Sequence, residues 1–226
     1  MKTPANTFND TISAEITPVV QAGSGSVYMV IDDFNTGPQT EIQLLSGNAQ
    51  TDFQKGNMLG GSRQIVFRVD EIPCDVSLGR KGVYTIDRGH LIVEDGVQIA
   101  SRLDISYGIA ENNEVAPLNL DLSPVLTNGQ FTLHFHSLDM LNEVDVIIQL
   151  VTPSREIFQM SHQVTPPVVC KFDINFPLAD FLSGTTGNPP AESDLKSIDY
   201  ITLIFQEGGN GGNDFAIDCF DITFIE

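Results

Sequence analysis

Four histidines and a scatter of aspartates are the residues of this chain whose types and spacing could do chemistry. His134 and His136 stand two apart in the run Gln130-Phe-Thr-Leu-His-Phe-His136. On a strand that spacing sends both imidazoles to one face, a geometry compatible with chelating a transition metal, while Phe131, Leu133 and Phe135 fill the other face. Two ligands do not make a site, and a pair of solvent-face histidines explains the same pattern. The aspartates offer harder ligands. Asp32 and Asp33 precede Phe34, and Asp214, Asp218 and Asp221 surround the closing run Phe215-Ala-Ile-Asp-Cys-Phe-Asp-Ile222. If the terminal strands are neighbours, Asp32, Asp33, Asp218 and Asp221 could converge on Ca²⁺, a hard cation that takes about six to eight oxygen ligands. Such a site would be structural. In an acidic chain, ordinary solvent-face or turn aspartates are the competing reading.

Catalytic motifs are missing. There is no G-x-S-x-G, no glycine-rich phosphate loop followed by Lys and Ser or Thr, no H-E-x-x-H and no dinucleotide fingerprint. The expectation is a protein that is not an enzyme. Eleven Lys and Arg against 30 Asp and Glu give a net charge of −19, which repels phosphate backbones and anionic membrane surfaces. No nucleic-acid partner is expected. An acidic surface suits divalent cations, cationic partners or neutral glycans. No apolar run reaches the length of a membrane-spanning helix, so no transmembrane segment is expected, and Met1 to Asp10 is polar without the apolar stretch of an export signal. Cys74, Cys170 and Cys219 allow one internal disulfide with one thiol left over, and each lies beside apolar residues, as buried inert thiols do.

The elements that must position these residues are strands. Residues 1–22 read as a polar N-terminal arm or extra strand, and 23–226 as one β-sandwich domain. Val27 to Phe34, Gln64 to Val69, Arg102 to Gly108, Leu118 to Leu122 and Cys170 to Phe176 are β-rich or alternate apolar with polar. Val144 to Val151 is an apolar run of strand length, with Arg155 to Val164 returning beside it. Asp95-Gly96, between Leu91-Ile-Val-Glu94 and Val97-Gln-Ile-Ala100, predicts a tight hairpin, and Asn128-Gly129 a second turn. Pro177 to Leu182 holds the one helical turn, and Gly208 to Asn213 reads as a hairpin loop joining the last two strands. About eleven to thirteen short strands without a long helix predict an all-β, antiparallel jelly-roll sandwich, with a closed barrel as the structural alternative; the N- and C-terminal strands of such folds often pair.

Ile31-Asp-Asp-Phe-Asn-Thr-Gly37, Leu59-Gly-Gly-Ser-Arg63 and Phe215 to Ile222 resemble bacterial exported β-sandwich proteins, many of which carry a C-terminal sorting signal of the PEP-CTERM type. The order of elements is also similar to that of jelly-roll carbohydrate-binding modules, whose opening Asp-Asp-Phe and closing Ile-Asp-x-x-x-Ile patterns flank a structural calcium. The resemblance implies an extracellular or cell-surface protein without catalysis, binding carbohydrate or another cell-surface component. A second function class is a self-assembling subunit of a filament, sheath or surface layer, a homo-polymer built by strand exchange through the arm.

Overall fold

Alternation of apolar and polar residues commits most segments to half-buried strands, and pairing then sorts them into two sheets. The computed structural model describes residues 25–37, 41–70, 80–165, 171–183, 190–208 and 211–225. The expected arm, residues 1–22, lies outside them, as do Cys74 and Cys170.

The strands are β1 (Val27–Asp32), β2 (Ile42–Leu45), β3 (Ala49–Lys55), β4 (Ser62–Val69), β5 (Lys81–Asp87), β6 (His90–Asp95) and β7 (Ser101–Tyr107). They continue as β8 (Gly129–Asp139), β9 (Val144–Val151), β10 (Ile157–Val164), β11 (Phe172–Pro177), β12 (Tyr200–Glu207) and β13 (Asp214–Phe224), with one short helix, α1 (Leu178–Ser183). One sheet runs β11-β8-β13-β6-β5-β2, with β1 also paired to β13; the other runs β10-β9-β12-β7-β4-β3. Every ladder is antiparallel. The protein is therefore an all-β, antiparallel jelly-roll sandwich, and β1 pairs with β13, which makes the terminal strands neighbours.

The inward faces merge into one apolar core. Phe131, Leu133 and Phe135 of β8, Phe215, Ile217, Phe220 and Ile222 of β13, and Leu91 and Val93 of β6 meet Ile148, Leu203, Phe205 and Ile105 from the opposite sheet. Aromatic rings interlock across the layers, Phe205 lying 5.0 Å from Phe215 and 6.4 Å from Phe135 between ring centres.

A buried polar clamp ties the sheets together. Asp32 and Arg63 have no exposed side-chain surface, and their Oδ2 and Nη1 lie 2.5 Å apart. Arg63 also donates from Nε to Gln54 Oε1 (2.7 Å) and from Nη2 to the Thr36 carbonyl, and Tyr107 donates its hydroxyl to Asp32 Oδ2 at 2.9 Å. The Phe34 backbone N–H donates to the other carboxylate oxygen, at 2.9 Å. Asp32 thus spans from the larger sheet to β4 and β7 of the other.

Three sequence expectations change. The hairpin at Asp95-Gly96 is not one: β6 pairs with β5 and β13, and residues 97–100 carry the chain over to β7 in the other sheet. The tight hairpin lies one strand earlier, at Arg88-Gly89, where both residues are left-handed (φ 51° and 78°) and Asp87 faces His90, as a type I′ turn requires. The hairpin expected between β12 and β13 is likewise not one, because the two strands lie in different sheets. There Gly211 (φ 58°) passes so close to residue 99 that a Cβ would stand 1.4 Å from the Ile99 carbonyl oxygen, so only glycine fits. Leu118 to Leu122 alternates yet forms no strand: it makes the isolated bridge Leu120 to Ile198, with single backbone hydrogen bonds from Leu118 to Asp199 and from Leu122 to Leu195, and Asn119 is left-handed at φ 50°.

Candidate functional site

Outward-pointing residues of β11, β8, β13 and β6 line one continuous strip on the larger sheet. At one end Thr132 and Thr223 share a hydrogen bond between hydroxyls (2.7 Å), Thr132 also donates to Asn175 Oδ1 (3.1 Å), and Gln130 Nε2 donates to Thr223 Oγ1 (3.3 Å). Next comes His134, between Asp173 (Nδ1 to Oδ1, 2.7 Å) and Asp221 (Nε2 to Oδ2, 3.3 Å). The hydrogen bond to Asp221 raises the imidazole pKa to about 9; burial opposes this, and the Asp173 and Asp221 charges add to it. At neutral pH His134 is an imidazolium donating from both nitrogens, and neither is free to ligate a metal.

His136 takes a different role. The pairing of β13 with β8 is regular from Asp214 with Asp139 to Ala216 with Ser137, and again from Cys219 with His134 to Phe224 with Gly129. Between them Ile217 pairs with Phe135, which leaves His136 on β8 and Asp218 on β13 both unpaired. These facing bulges re-aim their side chains, the use to which bulges are commonly put. Asp218 Oδ1 lies 3.0 Å from His136 Nδ1 and 2.6 Å from Nδ1 of His90, the residue that opens β6 directly after the Arg88-Gly89 turn. Lys171 reaches Asp218 Oδ2 at 3.2 Å. Burial alone would raise the Asp218 pKa, but the Lys171 hydrogen bond and the fields of His136, Lys171 and His90 together hold it below the ordinary carboxylate value.

Beyond this cluster the strip opens into a depression of about 250 Å³ with an apolar floor of Ile92 and Ala216 and a rim of Glu94, Asp139 and Asp214.

The four aspartates expected to share a cation do not come together as one group. Asp32 is committed to Arg63 and Tyr107, and Asp33 accepts from the Asn35 backbone N–H at 3.1 Å. Asp218 and Asp221 lie on the strip, but with different histidines. Among the described residues, the group of three whose ligand atoms lie within 4.8 Å of one another is His90, His136 and Asp218. His90 and Asp173 were missed from the sequence. The available signal for His90 was its place just after an Arg-Gly turn, and for Asp173 its alternation within Lys171-Phe-Asp-Ile-Asn-Phe176.

Cys219 is a half-buried free thiol whose pKa is pushed up to about 12 by burial and by the charges of Asp221, Asp33, Asp32 and Asp218, so it is inert as a nucleophile. A second carboxylate pair lies inside the sandwich. Asp95 and Glu207 are buried with no hydrogen-bond partner of good geometry for any of their four oxygens, and burial followed by the Asp95 charge lifts Glu207 to about 10. Among the described residues, no helix is long and apolar enough to cross a membrane.

The class the fold defines is the antiparallel jelly-roll sandwich with a polar sheet face. No family model matches the chain, and no curated protein matches it by sequence. Among solved structures, the family 11 carbohydrate-binding module of cellulosomal cellulase Lic26A-Cel5E of Clostridium thermocellum is 15% identical, with 89% of this chain and 98% of that one covered and a TM-score of 0.38. The family 30 carbohydrate-binding module of cellulosomal cellulase Cel9D-Cel44B of the same organism is 12% identical, covering 82% and 98%, with a TM-score of 0.42. The structure of PfGH50B matches 64% of this chain at 12% identity and a TM-score of 0.42; this chain spans 22% of its length.

Proposed function

We propose that this chain is a non-catalytic, extracellular binding module that takes a neutral carbohydrate along the outer strip of the larger sheet. One observation supports the reading above the others: rigid strand backbones hold polar side chains in a row that ends in an apolar depression. Sugar hydroxyls each offer a donor and an acceptor, and their C–H faces need apolar contact, so a ligand of this kind is met by fixed polar groups next to a shallow apolar surface. Asp173 and Asn175 would engage hydroxyls at one end of the strip, and Ile92 and Ala216 would lie beneath a sugar ring at the other. The net charge of −19 favours neutral over acidic polymers.

Affinity electrophoresis through gels containing neutral polysaccharides tests the proposal. At least one polymer should retard the protein. Asp173→Ala and Asn175→Ala should each weaken retention about tenfold, the equivalent of about 1.4 kcal/mol. Gln149→Ala, on the outer face of the other sheet, should leave retention unchanged. Folded protein that runs freely through every neutral polymer overturns the reading.

A further inference from the structure

We propose that His90, His136 and Asp218 form a binding site for a divalent transition metal of the zinc class. The inference does not depend on carbohydrate binding. Its first ground is the donor set: two imidazole nitrogens and one carboxylate oxygen suit zinc, whereas calcium and magnesium prefer all-oxygen shells. Three protein ligands also leave a coordination position open to solvent or to a ligand.

The second ground is that these atoms crowd together while leaving His90 Nδ1 and Asp218 Oδ1 unsatisfied, His136 Nδ1 making one long hydrogen bond (3.4 Å) to the other Asp218 oxygen, Oδ2. Nδ1 of His90 and Oδ1 of Asp218 are 2.6 Å apart, with no hydrogen-bond partner in good geometry and essentially no accessible surface. Nδ1 of His136 approaches the same oxygen at 3.0 Å, and the two imidazole ring centres lie 4.5 Å apart. Ligand atoms from three side chains gathered within 4.8 Å of one another, with the close His90–Asp218 contact misaligned for a hydrogen bond, are placed as a metal would place them. Around a tetrahedral zinc with bonds of about 2.0–2.2 Å, such atoms stand about 3.3 Å apart. The two histidine-to-Asp218 separations therefore need to open by less than about 1 Å to admit the ion. They are 31%, 40% and 28% exposed, so they can move and the ion can enter from solvent.

The third ground is the backbone. Bulges free His136 and Asp218 from the ladder at facing positions, and a two-residue turn delivers His90 beside them, so the cluster is built by three separate irregularities of the strands. Lys171 is the opposing feature, since its ammonium neutralises Asp218 when no metal is bound. Its side chain is 67% exposed on a long stem, and it can swing away.

The test is titration of the purified chain with Zn²⁺ by calorimetry, with Co²⁺ as a visible-absorption probe of the same site and Ca²⁺ in parallel. One Zn²⁺ per chain is expected, with Co²⁺ bands of a nitrogen- and oxygen-ligated ion. His136→Ala and Asp218→Asn should each weaken Zn²⁺ binding at least about tenfold, and Lys171→Met should strengthen it. His162→Gln, on β10 of the other sheet, should change nothing. His90→Ala provides an independent variant should His136→Ala lose its fold by circular dichroism. No saturable Zn²⁺ binding overturns the proposal, as does binding that survives both His90→Ala and His136→Ala, or Ca²⁺ bound as tightly as Zn²⁺.

Discussion

Replacing Arg63 with methionine should unfold this protein more readily than any surface change, and in a pH-dependent way. Arg63 is wholly buried and is the cation facing Asp32, whose own side chain has no exposed surface. Burial already raises the Asp32 pKa above 3.8, and the Arg63 charge and hydrogen bond are the largest influences pulling it back. Methionine retains much of the stem's apolar volume and removes the charge, leaving a carboxylate in the core with only the Tyr107 hydroxyl and the Phe34 N–H to hold it. Breaking a buried pair on one side costs about 3–5 kcal/mol. For a chain of this size each kcal/mol moves the melting temperature by about 2–4 °C, so a fall of about 6–20 °C is expected near neutral pH. The sign of the pH effect follows from linkage. A carboxyl whose folded pKa lies above its unfolded value contributes stability below the unfolded value and loses it as pH rises through the folded one. Without Arg63 the folded value climbs further, so the gap between variant and parent should be small near about pH 4 and widen towards neutrality. Circular-dichroism melts across that range measure it, with Asp32→Asn added to Arg63→Met as the partner variant. A gap that does not vary with pH, or a double variant no more stable than Arg63→Met at neutral pH, refutes the reasoning.

Two further outcomes follow from other titrating groups. With its folded pKa raised to about 9, His134 contributes stability that is complete below its unfolded value near 6.5 and is lost as pH rises through about 9. His134→Gln should therefore lower the melting temperature more at about pH 6 than at about pH 10, and proton NMR should find the parent ring titrating well above 6.5; a midpoint at the ordinary value counts against the Asp221 hydrogen bond. Glu207 is a carboxyl raised to about 10 mainly by burial, so its contribution is present in acid and is lost progressively as pH rises through that value. Glu207→Gln keeps the shape and supplies an amide donor for Asp95, so its melting curve should coincide with the parent near about pH 5 and lie above it near about pH 9. A variant less stable at every pH would mean that Glu207 has partners other than Asp95.

The sandwich was legible in the sequence because it rests on a local property, alternation. Phe131, Leu133 and Phe135 face inward with His134 and His136 outward, β10 returns beside β9, and α1 follows Pro177, all as the pattern predicts. What the pattern does not carry is which sheet a strand joins. Asp95-Gly96 has turn chemistry, but the register of β6 with β5 and β13 leaves β7 for the opposite layer, so the turn becomes a crossover. The terminal strands are neighbours, yet Asp32 turns inward to Arg63, because alternation along one strand does not show which interior cation, here 31 residues away, a carboxylate will meet. The His90 cluster was illegible for a related reason. It depends on two bulges, and a bulge is invisible to a period-two reading until the register on both sides of it is known.

Those two bulges tie together the histories of two distant stretches of chain. Pairing has the same offset before and after them, since the extra residue on β13 is matched by one on β8. Loss of His136 alone would put every downstream pair from Cys219 to Phe224 out of step by one residue, as would loss of Asp218 alone. Loss of both would restore a regular ladder with Phe220 and Ile222 still inward. Among relatives of this chain, insertions and deletions at the two positions should therefore come and go together, 82 residues apart. A homologue lacking both would keep the sandwich and be without the cluster.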